Sequence, residues 1–186
     1  LKEQWLELAT KELLKVLSAH ALAESKQRSS VNEYQLLCAL QELGFVFAQL
    51  GASVEESDIR KPAVDAICPL LADSKLWVRI HAAQCLRQLT RAAPSQAADW
   101  IRIIHSVFFI HLAEVDPEAS GDDPDINIVT IYTIHGHVHA LAALLGIVPE
   151  LPSGIPSKLI NDIFEGARKV FALPCGATDS PGYQSL

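Results

Sequence analysis

The sequence predicts an all-α fold. Seven stretches carry apolar side chains at helical spacing, and several of them end at a Gly or Pro. No convincing strand run survives beside them. The chain has 186 residues, enough for one domain of ordinary size or for part of a larger array. It is 49% hydrophobic and 20% charged, so it can bury a core and is expected to fold.

The first helix is expected over residues 3–22, where Trp5, Leu6, Ala9, Leu13, Val16 and Leu17 recur at helical spacing. A polar break follows at 26–30. The second spans 31–50, with Leu37, Leu40, Leu43, Gly44 and Phe47 on one stripe. Gly51 suits the left-handed position after its end. Gly44 and Ala48, four residues apart, leave room for a neighbouring helix. The third, over 62–71, has Pro62 in its first turn, where a missing N–H does no harm. The fourth runs over 75–93 and stops at Pro94, and the fifth over 95–113. The sixth begins near Asp125 and stops before Pro149. Its early part, "INIVTIYTI", is rich in β-branched residues and would read alone as a strand. It continues directly into "VHALAALLG" in a chain otherwise helical, so a helix is expected. The last helix covers 157–171, and a Gly-, Pro- and Ser-rich tail, expected to be mobile, occupies 174–186.

The net charge of −7 argues against nucleic acid and anionic membranes as partners, since both favour basic surfaces. Apolar stretches are interrupted by His, Arg or Pro before about 18 residues, so no transmembrane span is expected, and no N-terminal signal segment is seen. The chain begins at Leu1 and contains no Met, which reads as a fragment of a longer polypeptide or a processed chain. Cys38, Cys68, Cys85 and Cys175 form no Cys-x-x-Cys pair, so a zinc cluster has no support. The first three lie inside apolar helical patterns, where a free thiol acts as a small hydrophobe. A reduced, intracellular protein is expected.

The helices look repetitive. In "DSKLWVRIHAAQCLRQLTRAAP", Asp73 opens a turn, then come Val78 and Arg79, the small pair Ala82–Ala83, and Leu86 and Leu89. Shifting back 46 positions aligns those leucines with Leu40 and Leu43. Shifting forward 55 aligns them with Leu141 and Leu144, and Pro94 with Pro149. The acidic insertion "EVDPEASGDDPD" (114–125) accounts for the longer step. The stretch resembles the second helix of a HEAT repeat, and "KPAVDAICPLLAD" is similar to the first helix of the same unit. A period of about 40 to 47 residues is expected for such arrays. The resemblance implies a HEAT-type α-solenoid of antiparallel helical hairpins, about seven helices here, occupying 1–173. It also implies that Asp73 and Arg79 bridge successive units.

Taken together, "LQELGFVFAQLG", "VRIHAAQCLRQLTRAAPSQ" and "GHVHALAALLGIVPELPSGIP" resemble the HEAT-repeat-containing protein 5 family over residues 36–156. That resemblance implies a cytoplasmic scaffold, peripheral on Golgi and endosome membranes, that assists clathrin-adaptor recruitment and carries no catalytic residues, metal or cofactor. Its partners would be other proteins, clathrin-adaptor components among them. The three histidines of "YTIHGHVHALAALLG" and the acidic insertion have no counterpart in the family's pattern.

On a helix, His135 and His139 share a face and His137 points roughly the other way. One helix then supplies two metal ligands, and zinc needs more from elsewhere, with His81, His105, His111 or the acidic insertion as candidates. Nothing in the spacing demands a metal, and the expectation is of ordinary amphipathic-helix histidines. No phosphate-binding loop or nucleophile elbow occurs. The insertion has six carboxylates in twelve residues but lacks the ligand order of a calcium loop. It reads as a solvated loop, or as an acidic patch for a basic partner in which Ser120 could accept a phosphate. Trp5, Trp77 and Trp100 read first as packing residues and second as partner anchors. The expected function is a non-catalytic scaffold segment in clathrin-adaptor traffic. The alternatives are a HEAT scaffold of another system, such as a transport receptor or phosphatase scaffold, and a metal-dependent hydrolase using the His135/His139 face.

Overall fold

The computed structural model describes residues 2–23, 32–115 and 128–172 of the chain. Among them it holds eight α-helices, three short 3-10 turns and no strand. The helices are α1 (Lys2–Ala23), α2 (Glu33–Leu50), α3 (Ser53–Glu56), α4 (Arg60–Ile67), α5 (Leu76–Ala92), α6 (Ala97–Glu114), α7 (Ile128–Leu145) and α8 (Ser157–Ala172). The 3-10 turns are Cys68–Ala72, Pro94–Gln96 and Val148–Glu150. The described part of "INIVTIYTI" is helical, as expected. The break at 26–30, the acidic insertion from residue 116 on with Ser120, the start of the sixth helix near Asp125, Cys175 and the tail 174–186 lie outside the described residues.

Local chemistry sets several boundaries. Asn32 caps α2 reciprocally: its Oδ1 accepts from the Gln35 amide at 2.9 Å, and Gln35 Oε1 accepts from the Asn32 amide at 3.0 Å. Gly51 ends α2 at φ +53°, a region that favours glycine, and its amide donates to Phe47 O at 3.0 Å. The helix expected over 62–71 divides in two. Pro69 has no N–H to continue the α-helical ladder, so the chain tightens into the 3-10 turn Cys68–Ala72. The four-residue α3 is too short for a hydrophobic period to announce.

One large core joins these elements. Leu17, Leu43, Phe47, Ile67, Leu71, Leu86, Leu89, Ile101 and Leu144 are all buried in it. Val78, Ala82 and Ala83 of α5 are buried as well, so the ordered apolar pattern of that helix marks its inner face. α2 packs against α1 and α5, α5 against α2 and α7, and α7 against α5, α6 and the 3-10 turn Cys68–Ala72. α8 packs against α6.

Side-chain pairings give the directions. Gln41 meets His81, and Gly44 faces Cys85 and Gln88, so α2 and α5 advance together. Arg79 reaches Tyr132 and His135 in α7, and Arg91 reaches Glu150 just past its end. α2, α5 and α7 therefore form a row of parallel helices.

α7 makes a close backbone approach at Gly136. A Cβ there would sit 1.7 Å from the backbone oxygen of Leu71, so α7 lies directly on the 3-10 turn. Gly166 of α8 likewise lies under the ring of Phe109, 2.7 Å from where a Cβ would be.

Several expectations are corrected here. Trp100 is buried, but Trp5 and Trp77 are more than half exposed. Helical spacing alone does not say which turn of a helix its neighbours cover. Cys38 is exposed rather than packed, while Cys68 is half-buried and Cys85 buried. The segment from Ile128 to Glu150 is long and apolar enough to cross a membrane, where the sequence suggested no span; 44% of its apolar window is buried inside the protein.

Candidate functional site

The most structured polar cluster runs across the start of α5 (Leu76–Ala92), where the turn before it meets α1 and α7. Asp73 is buried at this turn. Its Oδ1 accepts from the Lys75 amide at 2.7 Å, fixing the turn that starts α5. Its Oδ2 meets His20 Nε2 of α1 at 2.8 Å. Both carboxylate oxygens are therefore in use.

Arg79 stands one turn into α5 with only 6% of its surface exposed. The sequence led us to expect an ion pair with Asp73 or with a neighbouring carboxylate. The guanidinium instead takes main-chain oxygens: Nη1 donates to Asp73 O at 2.6 Å and to Ser74 O at 3.1 Å. The Asp73 side chain turns to His20 and the Lys75 amide. Arg79 Nε donates to His135 Nδ1 at 3.3 Å, and the Tyr132 ring lies 4.8 Å from the guanidinium carbon. Burial lowers the Arg79 pKa, opposed by Tyr132 and Asp73, but a guanidinium keeps its charge. A continuous polar chain thus runs from α1 through the turn and α5 to α7.

The histidines of α7 divide as its geometry requires. His135 and His139 share a face, with ring centroids 4.5 Å apart. Because His135 Nδ1 accepts from Arg79, its proton sits on Nε2. Burial, then His139, then Arg79 hold the His135 pKa below the ordinary histidine value. His137 lies across the helix from them, as expected, but on the inner side. It is buried, with Nδ1–H donating to Thr133 O at 2.7 Å. Burial depresses its pKa, against the opposing effect of that hydrogen bond. α7 is apolar almost all round, so its sequence does not reveal which face turns inward.

The other candidate histidines do not join the pair. His81 donates from Nδ1 to Trp77 O and receives Gln41 at Nε2. His105 stacks on Phe109, and His111 meets Glu114 at 3.0 Å. Among the described residues no three His, Cys, Asp or Glu side chains converge as metal ligands. Burial pushes the Cys68 thiol up to about 11 and Cys85 higher still, so neither is a reactive thiolate.

Two surface features accompany the chain. An apolar groove of about 240 Å³ lies between α6, α7 and α8, lined by Phe108, Val138, Leu141, Leu145, Ile163 and Val170. A second, of about 280 Å³, follows the α2–α5 contact beside Gly44 and carries Gln41, Gln84 and Gln88. The capping box and the Gly136 contact were missed in the sequence. Asn-x-x-Gln before an apolar run signals the first, whereas the second depends on a partner backbone 65 residues away. No family model and no solved structure matches the chain.

Proposed function

We propose that this chain is a non-catalytic scaffold segment, a HEAT-type α-solenoid of antiparallel helical hairpins, in a protein assisting clathrin-adaptor-dependent traffic between Golgi and endosomes. The observation that carries the architectural reading is Arg79. It is buried, it closes the turn of its own unit, and it reaches the next helix of the parallel row. That is the work of a residue setting the register between stacked units. The pairing of α1 with α2 and of α6 with α7 supports the same reading. Lys2 at the start of α1 donates to Gln49 near the end of α2 at 3.3 Å, and Thr130 near the start of α7 donates to Glu114 at the end of α6 at 3.1 Å. Such out-and-back contacts support the hairpin reading.

The trafficking assignment rests on the resemblance of residues 36–156 to the HEAT-repeat-containing protein 5 family. Capture from cytosol on the immobilised chain, with immunoblotting for clathrin-adaptor subunits, tests it. Recovery of adaptor subunits is expected. Recovery of a phosphatase catalytic subunit or transport cargo in their place would favour a HEAT scaffold of another system. The metal-dependent hydrolase has less physical support, since a cation at His135 and His139 would sit beside the Arg79 guanidinium.

A further inference from the structure

We propose that the α5–α7 contact is a proton-sensitive joint, closed while His135 is neutral and loosened when His135 takes up a proton. The inference does not depend on the scaffold reading. It rests on the direction of one hydrogen bond. Arg79 Nε–H points at His135 Nδ1, 3.3 Å away. Only the neutral ring has a lone pair there. A protonated ring would set an N–H against an N–H and place a second positive charge beside the guanidinium.

Arg79 is poorly placed to retreat. Its Nη1 is tied to Asp73 O and Ser74 O, and Tyr132 covers its plane. On the other side of His135 lies the His139 ring. Among the described residues, Asp73, Glu114 and Glu150 are the carboxylates bonded near α7, and each has partners other than His135. Asp73 holds His20 of α1 and the Lys75 amide. Glu114 of α6 is held by His111 and Thr130, and Glu150 by Arg91 of α5. From α8, Lys169 adds a positive charge over Phe109 of α6. The remaining titratable group on this part of α7 is His137, buried and bonded to Thr133 O.

The direction of the effect follows from burial and the neighbouring charge, which depress the His135 pKa. The unfolded chain then binds more protons than the folded one over the interval between the two values. The joint's contribution is complete above about pH 6.5 and falls as pH drops toward the folded value.

The full chain is to be unfolded with urea at about pH 7.5 and about pH 5.5, as wild type and as His135→Gln. The glutamine oxygen still accepts from Arg79 but takes no proton. The wild-type midpoint is expected to drop on acidification and the variant midpoint to drop less; equal drops overturn the proposal. A proton NMR titration of the wild type follows His135 separately from His137 and His139, and serves also if the variant folds poorly. A His135 midpoint below that of a histidine in the urea-unfolded chain supports the joint, and one at or above it overturns it.

Discussion

Glycine 136 and glycine 44 both lie inside helices, yet their substitutions should act in opposite directions. At Gly136 a Cβ would meet Leu71 O at 1.7 Å, which neither backbone can relieve without moving. Gly136→Ala is expected to destabilise by about 3 kcal/mol or more in chemical denaturation. At Gly44 the nearest atom to a Cβ is Gln88 Cγ at 3.6 Å, an ordinary contact. Gly44→Ala should therefore stabilise by roughly 0.5–1 kcal/mol through helix propensity. A loss at Gly44 would mean the α2–α5 contact is tighter than described. His137 belongs to the same scale. From the sequence alone, a neutral polar residue at His137 is expected to cost little. Buried and bonded to Thr133 O, His137→Ala should cost about 1–3 kcal/mol, beside about 2–5 kcal/mol for Leu144→Ala. A His137 variant as stable as wild type in urea would return that ring to the surface.

Among the elements, protection against amide exchange should follow packing. α5 touches α2, α7, α4 and the 3-10 turn Cys68–Ala72, whereas α8 has α6 as its main neighbour and leaves an apolar groove open beside it. α5 is expected to exchange slowest and α8 fastest among the long helices. Slow exchange in α8 would show that its apolar face is covered. This contrast also marks how far the sequence was legible. The face of α5 was readable because Val78, Ala82, Ala83, Leu86 and Leu89 form one stripe opposite polar residues. Gly51 and Pro94 were readable because each acts on its own backbone. The rotation of α7 was not, since apolar residues surround it. The partner of Arg79 was not, because His135 lies 56 residues further along the chain. Trp5 and Trp77 looked like core residues because aromatic side chains at helical spacing carry no sign of which turn lies beyond the neighbouring helix.

At the scale of the whole molecule, the metal-dependent reading has its own measurement. If the His135 and His139 face held a divalent cation, zinc would remain with the protein after dialysis and be lost on replacing both residues. Zinc below stoichiometric amounts in the wild type is expected, read by metal analysis. The ties between the row helices also differ at its two ends. At the start of α5 the tie to α7 is the part-buried Arg79–His135 bond, with Arg79 itself anchored to Asp73 O in a buried bond. At its end the Arg91–Glu150 pair, 2.6 Å long, is largely exposed. Salt screens the exposed pair far more than the part-buried tie. Raising ionic strength should therefore unlace the Arg91–Glu150 margin first, while Leu89 and Leu144 in the shared core keep the two helices packed.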